Sequence, residues 1–212
     1  MTTRLELYND ALMLCGERAI SSLTEAREGR RLLDQVWDSD GYKACLEAGQ
    51  WRFALRAVLL DYDTDITPGF GYQRAFEKPT DWVATSAICT DEYFRAPLLE
   101  YVDEAGYWYA DLDEIYVRYV SNDSAYGGDL SKWTTRFTDY VAAHFAAKII
   151  FKLTSDYARM EGMTEIEKKR KREAKNHDAM SDSAKFAPPG TWIISRRGRR
   201  LRDNGNRGSL IG

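Results

Sequence analysis

The first fifty residues carry apolar side chains at the spacing of helices. One series consists of Leu5, Tyr8, Leu12 and Cys15. Gly16 follows it at once, so we predict a first helix that ends there. A second series consists of Leu33, Val36 and Trp37. It predicts one helix from about Glu25 to Gly49, with a weak point at Gly41 because glycine lowers helix stability.

Between residues 51 and 128 apolar side chains recur mostly at every second residue, which is typical of strands. Residues 83–89, VATSAIC, and residues 115–120, IYVRYV, have the alternation and the branched and aromatic side chains of strands. Residues 97–102 and 107–110 flank DEAG and predict a hairpin with a four-residue loop. We therefore expect one small antiparallel sheet that is rich in tyrosine.

After residue 128 the helical spacing returns in the most regular repeat of the chain. Its apolar positions are Trp133, Phe137, Val141, Phe145, Ile149 and Leu153. They predict a core helix over residues 131–156, which would be ~39 Å long. A charged helix over about residues 164–184 follows, and residues 186–212 have the composition of a loop.

These elements together predict a mainly α protein with a β insertion. Residues 1–50 and 129–185 would form a helical core domain that resembles a four-helix bundle. Residues 51–128 would form the β insertion, a small tyrosine-rich antiparallel sheet between the second and third helices. Residues 186–212 would form an extended C-terminal arm.

Charge is distributed unevenly over the 212 residues. The formal net charge is −3. Residues 81–123 nevertheless contain ten acidic and two basic side chains, whereas residues 184–212 contain seven basic and one acidic. Two regions of opposite sign on one chain predict that copies or partners meet through them.

The cysteines and the hydropathy place the protein in a cytoplasm. Cys15, Cys45 and Cys89 have no metal-binding or redox spacing, so we expect buried thiols in a reducing compartment. The longest apolar run is too short for a membrane helix, which needs ~20 apolar residues. The first residues have no signal-peptide core.

Residue patterns for catalysis and metal binding are missing or incomplete. His144 and His177 are the only histidines, and neither belongs to a recognisable triad. Residues 61–65, DYDTD, imitate the start of a calcium loop, but Ile66 and Tyr72 replace its glycine and glutamate. We interpret His144 as a core histidine and predict no catalytic residue, no cofactor, no metal and no enzymatic activity.

A basic run in the last predicted helix permits two interpretations. It consists of Lys168, Lys169, Arg170, Lys171 and Arg172. Glu165 stands four residues before Lys169, and Glu167 four before Lys171, which is typical of a solvated helix face with internal pairs. The alternative is an electrostatic interface with a neighbouring subunit, for which these five residues are the candidates.

The order of several loose motifs resembles a known family of structural proteins. A helix ending in "GE" is followed by "SSLTE", "RRLLDQVW" and "GQWRFA". Further on stand "FEKPTDWVATSAI", "IYVRYVSND" and "FTDYVAAHFAAKIIFKLTSD". Over residues 7–175 this order resembles the tail tubular protein A family, the head-to-tail adaptors of short-tailed and related phages.

The resemblance implies a structural role in the virion. It implies a ring of twelve copies bound beneath the portal protein at the portal vertex, after assembly in the host cytoplasm. The ring would extend the DNA channel, let DNA pass during ejection without sequence-specific contact, and receive the next tail component, a nozzle or tail tube. It implies no membrane contact.

The C-terminal arm gains a role from the same resemblance, since similar adaptors carry an extension onto the portal or a neighbour. The candidate docking residues are Pro188, Pro189, Trp192, Ile193, Ile194, Arg196, Arg197, Arg199 and Arg200. Trp192 would be the anchor, because aromatic side chains dominate interface hot spots. Residues 191–197 could add to a sheet as an edge strand.

Two other functions stay open from the residues alone. The basic arm and the basic run would also suit a nucleic-acid-binding phage protein, whose affinity would fall steeply with salt. The acidic residues between 100 and 114 would supply a carboxylate pair for a polysaccharide hydrolase, although no spacing singles out one pair.

Overall fold

The computed structural model describes residues 3–39 and 41–181. Contacts divide the chain into two compact units, Met1–Ala179 and Met180–Gly212, and the elements below belong to the first apart from the last residue of α5. The elements are α1 Arg4–Cys15, α2 Glu28–Ser39, α3 Lys43–Glu47, β1 Leu55–Asp61, β2 Arg74–Glu77, β3 Trp82–Cys89, β4 Val102–Glu104, β5 Tyr107–Ala110, β6 Glu114–Ser121, α4 Thr135–Thr154 and α5 Tyr157–Met180.

The six strands form two antiparallel sheets of three strands each. Sheet A has the order β1-β6-β3, and sheet B has the order β2-β5-β4. The described residues therefore contain five helices and two sheets, and the protein is mixed α and β. The predicted four-helix bundle-like core with one small sheet is wrong, for two physical reasons that lie in the packing of the helices.

The first reason is that a sheet closes one side of the helical core. At the centre of α4, the Phe145 ring lies 6.4 Å from Tyr8 and 6.0 Å from Trp37, centroid to centroid. Towards the start of α4, the Phe137 ring lies 4.8 Å from that of Trp51. Val120 of β6 is fully buried in this same core. The helices thus bury their apolar faces partly against sheet A instead of a fourth helix.

The second reason is that α5 attaches through polar side chains. Of its 24 residues only Met163 and Ala174 are buried. Two contacts with α4 are an ion pair of 3.2 Å between Arg170 and Asp139, and a contact of 2.8 Å between His144 Nδ1 and Glu167. A helix with so few buried apolar residues covers the core as an outer charged layer.

A second hydrophobic core lies between the two sheets. Sheet A contributes Ile88, Ile115, Val117 and Tyr119, and sheet B contributes Phe76, Trp108 and Ala110. Along β6, Ile115, Val117 and Tyr119 alternate into this core, as the period of a strand requires, while Val120 points into the helical core. The central strand of sheet A is therefore shared by both cores.

The predicted first helix is confirmed, and it ends at Gly16 as expected. Thr3 accepts a hydrogen bond from the backbone N–H of Glu6 at 3.2 Å, and the Glu6 carboxylate accepts one from Thr3 N–H at 2.8 Å. This capping box starts α1. Gly16 ends it in the left-handed region, at φ +78°.

The single helix predicted from Glu25 to Gly49 is wrong, because it breaks at Gly41. Gly41 has a φ of +35°, and a Cβ there would lie 2.6 Å from the carbonyl oxygen of Trp37. The chain therefore forms α2 and a separate five-residue α3. Residues of the predicted charged helix beyond Ser181 lie outside the described residues. The helix, α5, begins at Tyr157 rather than near residue 164, and Asp156 caps it by accepting from Ala158 N–H at 2.9 Å.

The hairpin between β4 and β5 is confirmed, but its loop is shorter than predicted. Ala105 and Gly106 alone connect the strands, with φ of +49° and +88°. Two consecutive positive φ angles are typical of a type I′ turn, which matches the twist of the strands. Residues 97–101 form no strand beyond a bridge between Pro97 and Cys89.

Asp81 fastens the junction between the cores. Its carboxylate accepts hydrogen bonds from Tyr119 Oη at 3.0 Å, from Arg56 at 3.0 Å and from the Ser121 hydroxyl. Its backbone carbonyl accepts from Asn122 N–H at 2.9 Å. Partial burial pushes the pKa of Asp81 upward, but the three side-chain hydrogen bonds outweigh it, so the pKa lies below its ordinary value.

We expect Phe145→Ala to lower the free energy of unfolding by about 3–5 kcal/mol, since it leaves a cavity among aromatic rings. Urea denaturation checks this. The control is Met13→Ala, at a side chain 69% exposed, with an expected change within about 0.5 kcal/mol. Equal small losses for both variants would contradict the packing described.

We expect Asp81→Asn to destabilise the protein by about 1–3 kcal/mol at pH 7 and by less in acid. Because the pKa is lowered in the folded state, ionised Asp81 stabilises the fold above the unfolded pKa of about 3.9 and loses that effect as pH falls further. Denaturation of both proteins from pH 7 to pH 3 checks this. A difference that stays constant or grows in acid would contradict the assignment.

Candidate interaction surfaces

The β half of the protein carries an acidic surface that its own side chains do not neutralise. Within the described residues, three of the ten carboxylates between 81 and 123 contact a basic side chain: Asp81, Asp103 and Asp113. The other seven are spread over the strands and loops of the two sheets, and together we call them the acidic surface: Asp91, Glu92, Glu100, Glu104, Asp111, Glu114 and Asp123. Backbone N–H groups of Ala96 and Arg95 hold the pKa of Asp91 below its ordinary value, which favours its ionised form.

Two residues of the basic run on α5 form ion pairs within the chain, and the other three do not. Arg170 lies 3.2 Å from Asp139, and Lys168 lies 2.8 Å from Glu165. In the described part of the chain, Lys169, Lys171 and Arg172 have no carboxylate within 4 Å. Lys169 and Arg172 stand three residues apart on one side of α5 and are what we call the basic face. Lys171 is also left available of the five interface candidates, but it lies on another side of the helix.

The helix pairs expected from spacing are replaced by other partners. Glu165 contacts Lys168 rather than Lys169, and Glu167 contacts His144 on α4 rather than Lys171. His144 is partly buried and lies 6.3 Å from the Phe145 ring, centroid to centroid. Its Nδ1 thus has a hydrogen-bond partner and its ring is partly buried, as expected of a core histidine.

The predicted core-helix residues lie together as a single stripe, with one change at its start. Phe137, Val141, Phe145 and Ile149 are buried along α4. Trp133 is buried too, but it precedes the helix, whose N-cap is Thr134. Its indole N–H donates to the carbonyl of Gly127 at 2.9 Å, which fastens the chain before α4 begins.

The predicted docking arm lies outside the described residues. This applies to Pro188, Pro189, Trp192, Ile193, Ile194, Arg196, Arg197, Arg199 and Arg200. The role assigned to them stays a prediction.

Two clefts open on the helical half, and neither contains a catalytic arrangement. One of about 300 Å³ is lined by residues that include Arg18, Arg27 and Arg30. Arg27 donates to the carbonyl of Arg18 at 3.1 Å, and Arg30 to that of Glu25 at 2.5 Å, so two of its arginines are engaged by backbone. The other, of about 420 Å³, is mainly apolar and includes Met13 and Ile166.

The cysteines are poor nucleophiles in the folded protein. Cys15, Cys45 and Cys89 are free and buried. Burial raises the pKa of Cys15 to about 11 and that of Cys45 to about 12, and it also raises the pKa of Cys89. Because the thiolate is the reactive form, these thiols are inert near neutral pH.

Within residues 3–39 and 41–181, no group of three or more His, Cys, Asp and Glu side chains could hold a metal ion. In that part of the chain, no helix has both the length and the apolar character for crossing a bilayer.

The features that reasoning from sequence missed are long-range ones. Asp81 was not singled out, because its partners Arg56 and Tyr119 stand 25 and 38 residues away. An acid directly before a strand was the only local signal. Comparison with known proteins adds no further residue: no protein-family model matches the chain, and no curated protein matches it.

We expect a thiol reagent such as dithionitrobenzoate to label none of the three cysteines in the native protein at pH 8, and all three in denaturant. Their burial and raised pKa values both oppose reaction. Counting released chromophore before and after unfolding checks this. Fast labelling of one thiol in the native state would show that its site is open.

Proposed function

We propose that the chain is a structural phage protein, a head-to-tail adaptor. Copies of it form a ring, twelve in the resembled family, that binds the portal protein, continues the DNA channel and receives the distal tail component. It works by contact rather than by chemistry, and it resides at the portal vertex of the virion.

The observation that carries the proposal is the pairing of unneutralised surfaces on one compact unit. The acidic surface of the β half and the basic face of α5 both belong to the unit Met1–Ala179. A subunit with complementary surfaces can bind the next copy head to tail, and such contacts close into a ring when the rotation permits. The resemblance over residues 7–175 supports the same conclusion.

The acidic surface also suits a channel through which DNA must slide. Carboxylates facing phosphates repel them, whereas basic side chains would bind DNA through counterion release and hold it. A surface with seven unpaired carboxylates therefore favours passage over binding. The same surface argues against the alternative function, a phage protein that binds nucleic acids in general.

The interfaces between copies should depend on charge. Attraction between exposed groups is screened over about 8 Å at physiological salt. Complementary charges raise association rates and select the partner more than they add affinity. Assembly of the ring should accordingly weaken as salt rises.

We expect the purified protein to form rings on the portal protein encoded by the same phage genome. Mixing the two and imaging by electron microscopy checks this. A ring of stacked density beneath the portal, with the symmetry of a closed oligomer, is the expected result. No association at micromolar concentration and low salt would contradict the adaptor function.

Charge-reversal variants test the electrostatic part separately. Lys169→Glu with Arg172→Glu should reduce ring formation, because both change the basic face. Lys148→Glu with Lys152→Glu is the matched control, since these exposed lysines of α4 also lack an ion pair in the described residues. Equal assembly by both variants would show that the basic face is not an interface.

A further inference from the structure

The outer face of sheet B carries a tyrosine between two glutamates. The register sets Tyr107 of β5 directly opposite Glu77 of β2 and Glu104 of β4. Trp108, the next residue of β5, is buried between the two sheets, so Tyr107 points to the other side of sheet B. Side chains that stand opposite each other on neighbouring strands share one face. The tyrosine and both glutamates therefore form one row across the outer face, which we call the outer row.

Further aromatic rings and a third carboxylate lie beside the outer row. The Tyr109 ring lies 6.3 Å from that of Tyr107 and 5.1 Å from that of Phe70, centroid to centroid. Phe70 is 45% exposed. Burial raises the pKa of Tyr107 above its ordinary value, and the nearby carboxylates of Glu77 and Asp63 raise it further. This face of the sheet thus combines aromatic rings with negative charge.

Elsewhere in the β half, the same combination holds a cation of the chain itself. Lys78 Nζ lies 3.8 Å from the centre of the Trp82 ring and 2.5 Å from a carboxylate oxygen of Asp103. The guanidinium of Arg74 lies 4.1 Å from the centre of the Tyr62 ring, and it too contacts a carboxylate. An aromatic face attracts a cation electrostatically, and a carboxylate beside it adds to that attraction.

The outer row has no such cation in the part of the chain that the structure describes. Neither Glu77 nor Glu104 has a basic side chain within 4 Å, and no lysine or arginine lies over the Tyr107 ring. A neutral ligand such as a sugar would stack on the ring but would leave both carboxylates without a counterion. The outer row therefore favours a ligand that brings lysine or arginine side chains.

The basic face of α5 supplies the complementary side chains. Lys169 and Arg172 are exposed, and residues three apart on a helix have Cβ atoms ~5–6 Å apart. Glu77 and Glu104 stand two strands apart, so their backbones are ~10 Å apart. The long stems of lysine and arginine can span the difference. Because neither cation contacts a carboxylate among the described residues of its own subunit, both are available to another copy.

We propose that the outer row, Glu77, Tyr107 and Glu104, is a docking site for the basic face of a second copy. Lys169 and Arg172 of that copy pair with the two carboxylates, and one of the two cations lies over the Tyr107 ring within ~6 Å of its centre. Each copy gives one basic face and receives another, so the contact is head to tail. The inference rests on the proposed function and names the residues at which the subunits of the ring meet.

Crosslinking between two full-length proteins tests this contact without a portal. One carries Ala105→Cys, at an exposed position two residues before Tyr107. The other carries Asn176→Cys, which is exposed on the same side of α5 as Arg172, one turn further along, and a fused tag makes the mixed dimer distinct in size. The native cysteines are buried and do not react. With a short bismaleimide, we expect a mixed covalent dimer on a denaturing gel.

The control mixture replaces the second protein by a tagged Met13→Cys variant, which has its thiol exposed on α1. It should give no mixed dimer above background. Equal yields in both mixtures, or no mixed dimer in either, would overturn the proposal.

A charge exchange tests the pairing of the side chains. In the protein with the cysteine at the turn, Glu77→Lys with Glu104→Lys should lower the yield by about tenfold or more, because like charges then face each other. In the other protein, Lys169→Glu with Arg172→Glu should restore it. Loss without restoration would overturn the contact between these four residues.

The matched control for the charge exchange is Glu92→Lys with Glu100→Lys. It makes the same charge change at two exposed carboxylates of the acidic surface outside the outer row. We expect the yield to stay unchanged. An equal loss would mean that charge attracts the second copy without a defined site, and would overturn the proposal.

The aromatic part of the site has its own test. Tyr107→Leu keeps both carboxylates and removes the ring, and it should lower the yield about two- to fivefold. Tyr93→Leu, at a side chain 68% exposed, is the control and should leave the yield unchanged. Rings that form on the portal without this crosslink would overturn the docking site and leave the adaptor function standing. The crosslink without rings on the portal would contradict the adaptor function alone.

Discussion

The structure depends on β6, because this one strand supplies both hydrophobic cores. Ile115, Val117 and Tyr119 fill the space between the sheets, while Val120 closes the helical core. Asp81 then locks the end of the strand, through hydrogen bonds with the side chains of Tyr119 and Ser121. One face of β6 is buried along its length, and only its last residues are buried on both sides. A slip in register is therefore strongly disfavoured, since a shift by one residue would reverse every side chain.

Sharing one strand has a consequence for function. The α5 basic face is attached to α4, which packs on the helical core, whereas the acidic surface lies on the sheets and their loops. Because β6 joins the two cores, these surfaces hold one geometry relative to each other within the unit Met1–Ala179. In the proposed ring, each subunit would need this constancy, since small errors in the angle between interfaces would accumulate at each copy.

Sequence patterns predicted the elements better than their arrangement. The stripe of α4 was readable because Phe137, Val141, Phe145 and Ile149 recur with a strong period. Alternation located β3 and β6 but could not show that the strands divide into two sheets, because pairing depends on distant partners. The break at Gly41 depends on a close approach to Trp37. Ion pairs between helices, such as that of Arg170 with Asp139, are likewise determined by how the helices pack and not by spacing along one helix. For the candidate surfaces, the uneven charge was visible in the sequence, but the sequence did not show which carboxylates have a basic partner.

Native-state hydrogen exchange tests the central claim, that β6 makes the two cores one cooperative unit. Amides of β6 between Ile115 and Val120 and amides of α4 between Val141 and Ile149 should exchange with the same free energy of opening, equal to that of global unfolding. Both sets should also respond equally to added denaturant. Exchange of β6 through a separate opening of lower free energy, while α4 stays protected, would contradict the account.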